Sequence, residues 1–184
     1  MKHITLFLLA IVLMLPVKAA IAYSDLADDF LLICSTDAPF PPENWSKGDL
    51  RAAALEVLDG IETGGNDRWP LYYCLITLGY GQNPDDVQRI LAYEEDMPST
   101  VLRSLRGFPD PDAIECMLKW AASDRYQREL AFRGLGEIDF DLLEDGDEWR
   151  DKVISELLIV RKAESNSRVI ESIDEAITQI QTEE

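Results

Sequence analysis

Apolar residues in this chain recur at spacings of three and four, and no segment alternates with period two for long enough to make a strand. The pattern predicts an all-α chain of eight or nine helices joined by turns that Gly and Pro mark. Leu26, Phe30 and Ile33 place a short helix over 24–34, and Pro39, Pro41 and Pro42 force an extended linker after it. Ser46 opens a helix with a stripe of Leu50, Ala53, Ala54, Val57, Leu58 and Ile61, which Gly60, Gly64 and Gly65 end. An aromatic helix is predicted over 68–78, closed by Gly79 and Gly81. Asn83-Pro84 and Asp110-Pro111 start two more, with each proline in a first turn, where its missing N–H has no helical partner. A short helix over 98–108 lies between them, and helices over 147–162 and 167–180 complete the chain. The last is amphipathic, with Val169, Ile170, Ile173, Ala176, Ile177 and Ile180 on one face.

The segment from Asp124 to Ile138 is the most regular of these helices. Asp124 stands at a cap position, Arg128, Ala131 and Leu135 follow at spacings of three and four, and a Leu-Gly pair precedes Ile138. Arg51, Ala54 and Leu58 echo the Arg-xx-Ala-xxx-Leu spacing, with Asp59 where Gly would stand, and Leu78-Gly79 repeats the Leu-Gly pair. Leu58, Leu78, Leu105, Leu135 and Ile177 form a ladder of apolar anchors; the two intervals from Leu78 to Leu135 fit a unit of two short helices. Over roughly 83–180 the chain resembles HEAT-like repeat proteins of the short, bilin-lyase type. That resemblance implies a short right-handed α-solenoid of helix pairs whose second helices line a concave protein-binding surface. A compact irregular helical bundle is the alternative architecture.

The N-terminus reads as an address. Lys2 and His3 precede an apolar run from Ile4 to Val17, and Ala20-Ile21-Ala22 supplies small residues before Tyr23. This is a secretory signal peptide over 1–22, cleaved near Ala22-Tyr23, in a run too short for a span of roughly 20 residues. The expected organisation is then an N-terminal helix and Pro-rich linker over 23–45 and a HEAT-like repeat domain over 46–184. The destination is periplasmic or secreted, with no membrane attachment after cleavage. The chain carries 35 acidic and 17 basic residues, a net charge of −18 that loss of Lys2 and Lys18 deepens to −20. Such a field repels nucleic acid and anionic lipid, favours a basic protein partner, and keeps a secreted chain in solution. The one histidine, His3, leaves with the signal. Without imidazole there is no Ser-His-Asp or Cys-His nucleophile and no His-ligated zinc.

Three cysteines in an oxidising compartment suggest one bridge and one free thiol. Cys34–Cys74 is the expected pair, because a stacked repeat brings only sequence neighbours together. The other reading is three buried thiols acting as small apolar residues. Trp69, Tyr72, Tyr73 and Tyr80 are the densest aromatic group, either a binding face or core. Arg103, Arg106, Arg125, Arg128 and Arg133 form the one basic concentration, which either takes an acidic ligand or pairs with acids such as Asp124, Glu129 and Glu137. Asp139, Asp141, Glu144, Asp145, Asp147 and Glu148 crowd one loop. Leu143 and Glu144 break the EF-hand pattern there, so neither a metal nor any other cofactor is expected. The function expected is a non-enzymatic protein-binding module with an acidic surface, of immunity or inhibitor type. A carboxylate-dependent hydrolase or lyase of cell-wall glycans is the reading from another class.

Overall fold

A computed structural model describes residues 24–36, 45–62 and 69–182. The expected signal peptide over 1–22, the linker prolines and Gly64-Gly65 lie outside the described residues. All regular structure among the described residues is helical. The helices are α1 (Asp25–Cys34), α2 (Lys47–Glu62), α3 (Leu71–Gly81), α4 (Val87–Leu91), α5 (Pro98–Ser104), α6 (Pro111–Ala121), α7 (Arg128–Gly136), α8 (Gly146–Ala163) and α9 (Ser167–Thr182). None is long and apolar enough to cross a membrane.

Local chemistry sets most of the starts. The Ser24 hydroxyl accepts the Ala27 amide at the head of α1, and its own N–H and O–H both donate to Glu56 on α2. Ser46 and Asp49 exchange bonds in a capping box: Ser46 Oγ accepts from Asp49 N, and Asp49 Oδ2 accepts from Ser46 N. Asp110 accepts the amides of Asp112 and Ala113 ahead of α6. Asn83 caps a single 3₁₀ turn over Pro84–Asp86, from which the short α4 continues.

Two starts differ from the sequence reading. The aromatic helix begins at Leu71, after Pro70, so Trp69 sits in the turn before it. The segment opening at Asp124 becomes helical only at Arg128, with Gln127 in the cap position. The glycines at the end of α3 also differ: Gly79 and Gly81 lie inside the helix, and Gln82 stops it in the left-handed region at φ 49°.

Helices in substantial contact are adjacent in sequence or separated by one helix, and they form two rows. α3, α5, α7 and α9 follow one another in the first row, and α4, α6 and α8 in the second. α2 packs on α3 and heads the second row through ion pairs to α4, and α1 covers α2. Leu78, Leu105, Leu135 and Ile177 therefore fall in the first row, whereas Leu58 belongs to the second. One apolar core runs through both rows, with Phe30, Phe108, Phe132 and Phe140 fully enclosed. The N-terminal helix joins it through Ala27, Phe30 and Cys34.

Ion pairs cross gaps in both rows, Arg106–Glu137 and Arg168–Glu129 in the first, which also has close backbone approaches. In the first, backbones approach closely: a Cβ on Gly79 would overlap the Ser104 carbonyl oxygen and lie 2.7 Å from its carbon. A Cβ on Gly136 would meet Ala176 Cα at 3.1 Å. In the second, charged side chains span the gaps. Arg89 reaches Asp59 and Glu62, Lys119 reaches Glu94, and Lys152 reaches Glu115. Arg51 grips Asp86 through two bonds of 2.7 and 2.8 Å, and Asp86 is buried at 1% exposure. Arg128 pairs with Glu164, whose other contacts are the amides of Ser165 and Asn166.

Gly79→Ala is expected to destabilise the fold by about 3 kcal/mol, because a backbone carbonyl cannot yield as a side-chain tip can. Gly81→Ala, with nothing within 4 Å of its Cβ, is expected to stabilise by about 0.5 kcal/mol. Urea unfolding of both variants checks the pair. The Glu164 carboxyl is held below its ordinary 4.5 by the Asn166 and Ser165 amides and then by Arg128. Its contribution to stability is therefore complete above 4.5 and lost as pH falls through the lowered folded value. Glu164→Gln should narrow the difference in Tm between pH 7 and pH 3 relative to the parent chain.

Candidate functional site

Helix α3 turns Leu71, Cys74, Leu75 and Leu78 into the core. Its opposite side carries Tyr72, Ile76 and Tyr80 at intervals of four, so they line up along the helix. Tyr72 is 41% exposed and Tyr80 49%, and Trp69 in the preceding turn is 46% exposed. Half-buried Tyr73 wedges beside them, its ring edge-on to Trp69 at 6.4 Å and to Tyr72 at 5.2 Å. Trp69, Tyr72 and Tyr80 therefore face solvent and do not form core.

The stripe runs into a cavity of about 430 Å³ at the C-terminal ends of α3 and α5. Ile76 and Tyr80 form its apolar wall, the Gly79–Ser104 contact lies at its base, and Lys47, Arg103, Arg106 and Glu137 bring the charges. Its rim is tied. Gln82 Nε2 donates to the Gly107 carbonyl at 3.1 Å, and Gly107 N donates to the Gly134 carbonyl at 3.2 Å. Gly107 has φ 64°, and the Glu137 carbonyl oxygen lies 2.9 Å from where a Cβ would stand, so only glycine fits. The ends of α3, α5 and α7 are thus fixed to one another.

The three cations are in different states. Arg106 forms a two-pronged ion pair with Glu137, which raises the arginine's pKa further. Lys47 Nζ rests 5.0 Å from the centre of the Tyr80 ring. The guanidinium of Arg103, in the last turn of α5, has no hydrogen-bond or ion-pair partner among the described residues. The lining carries two net positive charges in a chain of net −18.

Of the residues singled out in the sequence, Tyr80, Arg103 and Arg106 meet in the cavity, while Trp69, Tyr72 and Tyr73 lie at the other end of α3. The basic concentration divides: Arg106 and Arg128 pair internally, and Arg125 stacks over Trp120 at 5.1 Å. Sequence reasoning missed Lys47 and Gln82. Gln82 has a local signal, as the residue after a Gly-ended helix, but Lys47 reaches Tyr80 only through the packing of α2 on α3.

The acidic loop is occupied by its own structure. Asp139 caps the 3₁₀ turn over Phe140–Leu142, and Asp141 and Asp147 both bind Arg150. No group of His, Cys, Asp or Glu among the described residues is arranged to hold a metal ion. A second concave surface of about 560 Å³ lies along the outer face of α9, where Glu171, Asp174 and Glu175 stand, with Asp174 bonded to Arg161.

The Cys34–Cys74 bridge is not formed. Cys34, Cys74 and Cys116 are free and buried. Burial pushes each thiol up to about 12, so the thiolate that disulfide exchange requires is scarce at neutral pH. The cysteines serve instead as small apolar residues. All three are expected to resist iodoacetamide in the native chain at pH 8 and to be alkylated together after unfolding in guanidinium, as counted by intact mass. Searches of protein-family models, curated proteins and solved structures found no match to the chain.

Proposed function

We propose that this chain is a non-enzymatic protein-binding module built as a HEAT-like stack of helix pairs, acting as a secreted or periplasmic immunity or inhibitor-type protein. The observation that carries the reading is the solvent-facing aromatic stripe of α3 beside a preformed, tied cavity. Tyr, Trp and Arg dominate binding hot spots, because they bury large area at low entropic cost and keep a polar tip. Here Trp69, Tyr72 and Tyr80 are exposed while the cavity next to them is held by backbone bonds, so little ordering cost falls on association. Two rows of helices joined by local contacts support the repeat architecture. The acidity of the rest of the surface favours a partner that is basic overall, and steers its approach.

The glycan-hydrolase reading requires a carboxyl held protonated near neutrality as general acid. The carboxyls with displaced titration, Glu56, Glu164 and Asp174, are all pulled downward, by Ser24, by backbone amides and by Arg161 respectively. That direction suits permanent ionisation.

Tagged chain incubated with periplasm or culture supernatant is expected to retain one basic protein. Tyr72→Ala should weaken that complex by about 2 kcal/mol, the cost of a hot-spot residue, without loss of Tm. Retention of nothing, together with hydrolysis of a glycan by the chain, would reverse the proposal.

A further inference from the structure

We infer that the cavity between the ends of α3 and α5 is a docking site for a carboxylate, presented by an acidic segment of the protein partner. The inference rests on the protein-binding reading and specifies its chemistry. A partner that is basic overall, drawn to an acidic surface, would here insert a side chain of the opposite kind.

Charge complementarity argues for this occupant. The cavity is a cationic hollow in a strongly anionic chain, and over the Debye length of about 8 Å at physiological salt its own charges govern the local field. Helix C-termini favour cations, and α3 and α5 both end here. That preference explains why cations gather, but it leaves two of them without an anion. Arg106 is already satisfied by Glu137 in the two-pronged geometry that guanidinium offers to a carboxylate. Lys47 and Arg103 line the same cavity with no carboxylate partner among the described residues. Glu137 therefore marks the kind of group the cavity accepts, and a volume of about 430 Å³ leaves room for a second carboxylate in the space that Lys47 and Arg103 line. Ile76 and Tyr80 supply an apolar wall for the methylenes of a Glu side chain. Because Gln82, Gly107 and Gly134 lock the rim, binding requires no rearrangement of the backbone.

The site also fits beside the aromatic stripe. Tyr80 belongs to both, so a chain laid along α3 across Tyr72 and Ile76 would deliver its acidic residue into the cavity. Aromatic contact would then supply area and the carboxylate would fix register.

The test is a titration of the ¹⁵N-labelled chain, followed by NMR, with acetyl-triglutamate amide, acetyl-trilysine amide and inorganic phosphate. Triglutamate is expected to shift the Gln82 side-chain amide and the backbone amides of 103–107, with trilysine leaving them unmoved. Lys47→Gln and Arg103→Gln should each raise the apparent Kd about ten-fold, the cost of one charge-assisted hydrogen bond. Both residues are exposed, so the variants should fold. Absence of cavity shifts at millimolar peptide would overturn the assignment and leave the cations as counter-charges to helix ends. Phosphate binding as tightly as triglutamate would also overturn it, in favour of a small-anion site. If both variants still bind the captured partner like the parent chain while Tyr72→Ala does not, protein binding stands and the carboxylate site falls.

Discussion

The contact between Gly79 and the backbone of Ser104 sets the geometry on which the rest of the molecule relies. Two helices approach closely only where one lacks a side chain, and at Gly79 even a methyl group would collide with a carbonyl. This fixes how α3 lies on α5 and therefore where both helices end. Gln82 can then reach Gly107, and the cavity opens between the two ends. The same contact orients α3 about its own axis, turning Leu75 and Leu78 inward and Tyr72, Ile76 and Tyr80 outward. A larger residue at position 79 would thus disturb the aromatic stripe and the cavity together, although it belongs to neither chemistry.

The second row shows the other means of attachment. Its helices are joined by long charged side chains, most of them half in water, where a pair contributes about 0–1 kcal/mol. These pairs fix register more than they add stability. Arg51–Asp86 is the exception, because Asp86 is enclosed and loss of Arg51 would strand a charge. The arginine of the Arg-xx-Ala-xxx-Leu spacing has the same duty in both places: Arg51 and Arg128 each bind an acid that lies 35 or 36 residues further on. The internal pairs consume cations and leave the surplus of acids on the surface.

Much of the helical framework was legible because its signals are local. Ser24, the Ser46–Asp49 box and Asp110 act within a turn, and α9 shows its apolar face through spacing alone. Leu78, Leu105 and Leu135, spaced 27 and 30 residues apart in the chain, do share one row. What escaped depends on distant contacts. Gly79 has the sequence signature of a helix stop, and only the arrival of Ser104 explains why the helix continues through it. Leu58 has the spacing of an anchor but lies in the other row. Lys47 and Tyr80 are far apart in the chain, so no short pattern could join them. Nor does any spacing in the chain reveal that Cys34, Cys74 and Cys116 are all buried as free thiols.

A row of packed helices exposes one side of its last described member, against which a second molecule could dock. The outer face of α9 bears on that hazard. Glu171, Asp174 and Glu175 line it, with Asp174 bonded to Arg161. Two such ends brought together would oppose like charges across a contact that excludes water, and a neutral helix docking there would strip their hydration. A face of this charge opposes end-to-end association of two copies through α9.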